Sequence, residues 1–251
     1  MLRIIFLLGC VLILTSCTTA PVQDLDRASK LNADLGLAYL LKGRNEQALE
    51  KLKKAMKQNP DNAKAYLYTA ELYRRLDERE RADSYFQQAI DVAPDDSSIN
   101  NNYGAFLCAD KKYKEAFKYF DKALGNPVYV DRSKVFENIG VCSEEQGNIK
   151  VARDNYIKAI KINPNLTTSL LAVALLDFDL GNIKSAARYL KYFNRVGRDT
   201  PPSLWLGVLI AKKQNKIKVQ RNLMWSLANK FPKSREAKLL KKFKKSGRFN
   251  D

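Results

Sequence analysis

Histidine is absent from all 251 residues of this sequence. Because histidine is the commonest general base and the commonest metal ligand, its absence excludes Ser-His-Asp and Cys-His catalysis and histidine-ligated zinc. Glycine and proline are scarce, with 11 and 8 residues, a composition that disfavours a β-sandwich or a disordered chain. The sequence therefore offers little for a triad enzyme, a histidine-ligated zinc site or an all-β fold.

Apolar side chains and positive charge are abundant. Hydrophobic residues make up 45% and charged residues 28% of the chain, which is enough for a large core beneath a soluble surface. The formal net charge is +17, and the stretch KLLKKFKKSGR at 238–248 concentrates cations at the C-terminus. Such a tail either attracts an anionic surface or partner or is simply solvated.

The first hydrophobic segment, residues 4–14, is an apolar run of eleven residues that follows Arg3. It is shorter than the roughly 20 residues that a helix needs to span a bilayer, and polar sequence follows at once. This pattern predicts an export signal over residues 1–16. The stretch LTSC at 14–17 resembles a bacterial lipobox, in which an aliphatic residue and two small residues precede a cysteine.

The lipobox resemblance implies that Cys17 is lipidated and becomes the new N-terminus, the alternative being an ordinary signal peptide with a chance cysteine. Thr18 stands where an aspartate would resemble an inner-membrane retention signal. The resemblance therefore implies a protein anchored in the outer membrane and facing the periplasm. Residues 17–28 would form the lipidated cysteine and a polar tether.

Residues 29–240 repeat with a period close to 34. Alanine recurs in the second half of each repeat, at Ala48, Ala82, Ala116, Ala152 and Ala186. Small residues recur in the first half, at Gly36, Ala70, Gly104, Gly140 and Ala174. Small side chains at both places let two paired helices approach closely, and this period is the signature of tetratricopeptide (TPR) repeats.

The sequence thus predicts an all-α fold: a right-handed superhelical TPR solenoid of about six helix pairs. A capping helix is predicted at 234–243, and residues 241–251 are read as a basic tail. The sixth pair matches the pattern less closely. Trp205, Trp225 and Ala228 are predicted to fall at packing positions, with Arg221 where the packing alanine is expected.

TPR arrays bind partner proteins in a concave groove lined by the first helix of each pair. Helical spacing gives the candidate partner-binding residues Leu37, Leu40, Leu41, Leu67, Asn101, Glu137, Val141, Leu171, Leu175 and Phe178. The same spacing adds Glu71, Arg74, Arg75, Ala105, Glu144, Glu145, Leu206 and Ile210 to the groove. Packing against a neighbouring repeat is the alternative for the apolar members, although no repeat precedes the leucines of repeat one.

Three segments carry a closer resemblance. They are NNNYGAFLC at 100–108, ENIGVC at 137–142 and WSLANKFPKSREAKLL at 225–240. They resemble the type IV pilus biogenesis lipoproteins of the PilF/PilW kind, which combine a lipobox with six TPRs. The resemblance implies a pilotin that binds secretin subunits through its TPR groove and promotes their outer-membrane localisation and assembly. The alternative is another periplasm-facing TPR lipoprotein, a scaffold for outer-membrane protein assembly or for cell-wall enzymes.

Secretin subunits and the membrane, through the lipid anchor, are accordingly the expected partners. No nucleic acid, small-molecule substrate, metal or cofactor is expected. The acidic stretch DERERAD at 77–83 suggests paired carboxylates, but alternating acids and bases on a helix usually form a solvated surface. We therefore predict that the protein is not an enzyme.

The cysteines predict one disulfide. The chain has four cysteines, of which Cys10 is removed with the signal and Cys17 is acylated. Cys108 and Cys142 remain, both late in the first helix of consecutive repeats and in an oxidising compartment. We predict that they form a structural disulfide, the alternative being two small buried thiols, and no CxxC motif indicates redox catalysis.

Overall fold

The computed structural model describes residues 24–245, with side-chain burial through residue 243. This part of the chain contains thirteen α-helices and no β-strand, which confirms the predicted all-α fold. The helices are α1 Leu25–Leu41, α2 Asn45–Gln58, α3 Ala63–Arg75, α4 Arg79–Val92, α5 Ser97–Ala109, α6 Tyr113–Leu124, α7 Arg132–Glu145, α8 Ile149–Ile162, α9 Thr167–Asp179, α10 Ile183–Val196, α11 Pro201–Lys213, α12 Ile217–Lys230 and α13 Arg235–Lys245.

The predicted boundaries differ slightly from these helices. Helix α1 begins at Leu25, inside the segment assigned to the tether, and α13 continues past residue 240 into the segment assigned to the tail. The predicted signal peptide and Cys17 lie outside the described residues. None of the helices in the described range is long and apolar enough to cross a membrane.

Consecutive helices pack as six pairs, from α1 with α2 to α11 with α12. The turn inside each pair contains one residue with a left-handed backbone: Gly43, Asp77, Lys111, Gly147, Gly181 and Asn215. Glycine adopts this conformation without steric cost, and asparagine and aspartate tolerate it better than most residues. The same turn therefore recurs in every pair even where glycine is missing.

The chain divides into two compact units, whose described parts are residues 24–92 and 93–245. In the first unit, Ala33, Ala55 and Ala65 form a tight cluster with Met56 and Tyr68 packed against it. In the second unit, three apolar clusters extend from α8 to α13. Their buried members are Ala152, Tyr156, Val173, Leu176; Leu170, Ala174, Ala186, Leu190, Phe193, Leu206, Ile210; and Leu204, Val208, Met224, Leu227, Ala237, Leu240.

The close approach of paired helices depends on glycine in three first helices. A Cβ atom on Gly36, Gly104 or Gly140 would lie only 2.6 to 2.7 Å from Leu52, Phe120 or Tyr156 in the paired second helix. All three of these partner side chains are buried. Close packing of this kind leaves no room for an added methyl group.

Gly140→Ala is therefore expected to lower the free energy of unfolding by about 1–3 kcal/mol through overpacking. This loss should exceed the gain of roughly 1 kcal/mol that alanine brings to a helix interior. Gly207→Ala is the matched control, because its Cβ would approach no atom more closely than the terminal Cδ1 of the half-buried Leu223, at 3.0 Å. Urea unfolding of both variants tests this, and equal losses would contradict it.

The sixth pair corrects one prediction. Helix α12 buries Gln220, Met224 and Leu227, whereas Arg221, Trp225 and Ala228 are exposed. The predicted packing positions were therefore wrong by one residue. The reason is that α12 begins at Ile217, directly after the turn at Asn215, so that Gln220 takes the place of the packing alanine. Trp205 is half-buried, and its ring meets that of Phe243 edge-on, with the centroids 5.7 Å apart.

Candidate functional site

The leucines of α1 divide into exposed and buried members. Leu41 is 65% exposed and Leu37 is half-buried, so both present apolar surface to solvent. Leu40 is only 1% exposed and Leu67 on α3 only 6%. Leu40 lies one turn after Gly36, whose helix face meets Leu52 of α2. Leu40 and Leu67 therefore belong to the packing of the first unit, and their assignment to the partner surface is corrected.

The charged residues of α3 that were assigned to the groove form hydrogen bonds with one another. The Glu71 carboxylate accepts hydrogen bonds from Arg74, at 2.6 Å from Nη2, and from Arg75, at 3.0 Å from Nε. Burial opposes ionisation of Glu71, but these two hydrogen bonds hold the pKa of its carboxyl below the usual value. Arg75 also donates to the backbone oxygen of Leu40 at 3.1 Å. This cluster connects α3 with α1.

Two polar residues assigned to the groove join helices in the second unit instead. Asn101 is 6% exposed, and its side-chain oxygen accepts a hydrogen bond from Asn138 at 2.9 Å. Glu137, also 6% exposed, pairs with Lys134 at 2.9 Å and accepts from the hydroxyl of Ser169 at 2.7 Å. The assignment of Asn101 and Glu137 to partner binding is corrected, because their polar atoms already bind neighbouring helices.

Glu137 also caps the next first helix. Its Oε2 lies 3.2 Å from the backbone nitrogen of Ser169, in the first turn of α9. The N-terminal turn of a helix has free N–H groups that favour a carboxylate.

Leu206 and Ile210, which spacing also placed in the groove, lie buried in the cluster between α9, α10 and α11.

The remaining predicted residues of the second unit do reach the surface. Leu171, Leu175 and Phe178 on α9 are half-buried and pack by one side on the Leu170 cluster. Val141 on α7 is half-buried as well. Each of these side chains therefore supports the core and still presents apolar surface to a partner.

An open groove of about 410 Å³ lies along α9, and we call it the α9 groove. It is lined by Glu144, Tyr156, Thr167, Thr168, Leu171, Ala172, Leu175, Phe193 and Thr200. Sequence spacing found Glu144, Leu171 and Leu175 but missed the threonines. The signal for Thr200 was the TPPS sequence, since Thr200 and Ser203 form a capping box at the start of α11.

The end of the α9 groove that Glu144 lines is anionic. Glu144 and its neighbour Glu145 are exposed at the end of α7. The Tyr156 hydroxyl donates to Glu144 Oε2 at 2.9 Å, and burial together with the charge of Glu144 raises the pKa of Tyr156. The phenol thus stays protonated and fixes Glu144 in place. Among the described residues, no lysine or arginine pairs with Glu144 or Glu145.

Cys108 and Cys142 meet between α5 and α7. The structure joins them by a disulfide, with their Cα atoms 5.7 Å apart. Both side chains are buried, at 4% and 0% exposure. The bond therefore ties together the first helices of the third and fourth pairs from inside the fold.

Within the described residues, no group of three or more acidic or cysteine side chains is placed to hold a metal ion. The features of the site are instead an apolar floor, hydroxyl groups along its edge and an anionic end. Such a surface is suited to binding a polypeptide segment.

The chain is similar to known TPR proteins and to a pilus assembly protein. Tetratricopeptide repeat models match residues 39–101 and 133–166. The type IV pilus assembly protein PilF of Pseudomonas aeruginosa is 31% identical over 206 residues, which cover 79% of this chain and 82% of PilF.

The solved structures that are similar to this fold include two type IV pilus proteins. The structure of Pseudomonas aeruginosa PilF superposes with a TM-score of 0.82 at 29% identity, covering 88% of this chain and 99% of PilF. The structure of PilW, described as a widely conserved type IV pilus biogenesis factor, superposes with a TM-score of 0.76 at 30% identity. It covers 84% of this chain and 97% of PilW.

Proposed function

Since this chain belongs to the family of type IV pilus biogenesis TPR proteins that includes PilF and PilW, we propose that it acts as the pilotin of a pilus system. In this role it is anchored by lipid to the outer membrane and faces the periplasm. It binds secretin subunits, directs them to the outer membrane and promotes their assembly. The lipobox-like stretch at 14–17 supports the anchor.

The α9 groove is the observation that carries the binding role. Leu171 and Leu175 keep part of their apolar surface exposed, because only one side of each side chain packs on the core. Exposed apolar surface in a groove with a polar edge is typical of a protein-binding site. A segment that fits this groove carries apolar side chains over the two leucines and a lysine or arginine beside Glu144.

The surface formed by Leu37 and Leu41 provides a contact in the first unit. Leu41 is 65% exposed at the end of α1. Its burial by a partner would contribute roughly 1.5–3 kcal/mol of binding free energy. Each unit therefore offers an apolar surface to the secretin subunit.

Leu171→Glu is expected to lower secretin affinity at least tenfold, because it places a charge on the groove floor and removes a leucine contact. Leu180→Glu is the matched control, since Leu180 follows α9, is 55% exposed and does not line the groove. Each variant is immobilised and incubated with envelope extract, and the amount of secretin that it retains is quantified. Thermal melting of each variant verifies its fold.

Two results would overturn the proposal. One is a Leu171→Glu variant that melts normally and still retains the secretin. The other is a native protein that enriches cell-wall enzymes or other outer-membrane assembly factors without any secretin. The second result would assign the protein to the alternative role of a general TPR scaffold.

A further inference from the structure

Trp225 is unusually exposed for a tryptophan. Its side chain on α12 is 68% exposed, whereas Trp205, the other tryptophan of the chain, is half-buried against Phe243. The exposure follows from the register of α12, which buries Gln220, Met224 and Leu227. The packing of the sixth pair therefore does not use the indole ring of Trp225.

Cations accompany this indole on the same helix face. Arg221 and Lys218 precede Trp225 by about one and two helical turns, and both are exposed. Ile217, at the start of α12, is 59% exposed. In the described part of the chain, neither Lys218 nor Arg221 forms an ion pair. The outer side of α12 is thus both cationic and apolar.

Most of the net charge of the protein lies in the same region. Residues 212–245 contain thirteen lysines and arginines and one glutamate, a net charge of +12 out of +17. Helix α13 packs on α11 and α12 through Ala237 and Leu240. Lys238, Lys241 and Lys242 of α13 remain exposed. The exposed sides of the last two helices are therefore both strongly cationic, and we call them together the α12–α13 surface.

We propose that the α12–α13 surface docks on an anionic phospholipid bilayer. Trp225 lies at the level of the head groups, where indole rings are preferred, and the cations attract anionic lipids. The exposed Ile217 favours a bilayer over nucleic acid, because bases stack on aromatic rings and offer aliphatic side chains little. The cations are spread over two helices, and this distribution suits an extended anionic surface such as a bilayer.

Docking gives the protein a second contact with the membrane. The proposed acyl chains on Cys17 hold only the N-terminus at the membrane, and a cationic patch is a recognised second membrane-binding signal. The contact goes beyond secretin binding and does not depend on it. It would hold the sixth helix pair and α13 against the bilayer while the α9 groove binds a polypeptide.

Trp225 itself provides the measurement. A Trp205→Phe variant keeps an aromatic ring against Phe243 and leaves Trp225 as the sole indole. A variant that comprises residues 18–251, without Cys17, includes every described helix and no histidine. An N-terminal histidine tag therefore attaches it at one point to vesicles that contain nickel-chelating lipid, whether or not Cys17 is lipidated in the cell. Brominated phospholipids in these vesicles quench an indole that reaches the bilayer.

We expect quenching and a blue shift of Trp225 on vesicles of phosphatidylglycerol and phosphatidylcholine, and neither effect on phosphatidylcholine alone. High salt should reverse both effects. Lys218→Gln with Arg221→Gln should lower the equilibrium constant for docking roughly fivefold per charge removed. The matched control is Lys53→Gln with Lys54→Gln on α2, two exposed lysines of the other unit, which should leave the quenching unchanged.

The absence of quenching on anionic vesicles would overturn the proposal. So would quenching of equal size on neutral vesicles, since it would show that charge has no part in the contact. A blue shift with an acidic polypeptide or with nucleic acid, but not with vesicles, would also overturn it and assign the surface to that partner. Each of these outcomes leaves the secretin proposal intact.

Discussion

Cys17→Ser is expected to release the protein from the outer membrane almost completely. A lipid anchor contributes about 0.8 kcal/mol for each buried methylene group, so the acyl chains proposed on Cys17 would far outweigh the other proposed membrane contacts. The measurement is the share of protein in the outer-membrane fraction after a high-salt wash. The wash removes contacts that depend on charge, including any made by the α12–α13 surface.

Cys10→Ser is the matched control for this experiment. Cys10 lies inside the apolar part of the predicted signal segment, so its replacement should leave lipidation and fractionation unchanged. The experiment is run in cells that lack the secretin, because the partner alone would otherwise retain the protein. If the Cys17→Ser protein stayed in the washed membranes of those cells, the anchor proposal would be wrong.

The second large effect is expected from the disulfide. Cys108 and Cys142 close a loop with a sequence separation of 34 residues. In the chain-entropy model, a loop of this length stabilises the folded state by roughly 3–4 kcal/mol. The Cys108→Ala and Cys142→Ala double variant should therefore unfold at lower urea concentration, with a loss of about that size.

Two controls separate the covalent bond from the packing of the cysteine side chains. Reductant should destabilise the native protein and leave the double variant unchanged. Thiol titration of the lipidated protein, denatured without reductant, should find no reactive thiol. Two titratable thiols would instead support the alternative of a pair of buried cysteines.

The sequence by itself determined the repeating unit. Ala48, Ala82, Ala116, Ala152 and Ala186 are all fully buried, as the period of 34 predicts. Gly36, Gly104 and Gly140 all lie against the large side chain of a paired helix. These features are readable because a helix pair is a local structure: every contact that defines it lies within about one repeat of the chain.

The sequence also predicted which residues lie close together where their spacing matches the repeat. Cys108 and Cys142 are one nominal repeat apart and occupy corresponding helices, so that their proximity follows from the architecture. Leu171, Leu175 and Phe178 were found in the same way, because helical spacing identifies the side of α9 on which they lie. Spacing therefore predicts which side chains share a face.

Only the tertiary structure decided which of those faces is covered. Leu40 and Leu41 are adjacent leucines, yet one is 1% exposed and the other 65%. Asn101 and Glu137 had the spacing of groove residues, but side chains from neighbouring helices occupy their polar atoms. Burial depends on residues from other repeats, and helical periodicity within one segment contains no information about them.

The sixth pair lacks the packing alanine, and the prediction that placed Arg221 there departed from the period by one residue. The residue 34 positions after Ala186 is Gln220, which the structure buries. A shift of one residue rotates a helical side chain by about 100°, since a turn holds 3.6 residues. The start of α12 at Ile217 decided the register. That choice buried Gln220 and exposed Trp225, because the contacts of α12 with α11 and α13 can be satisfied on only one of its faces.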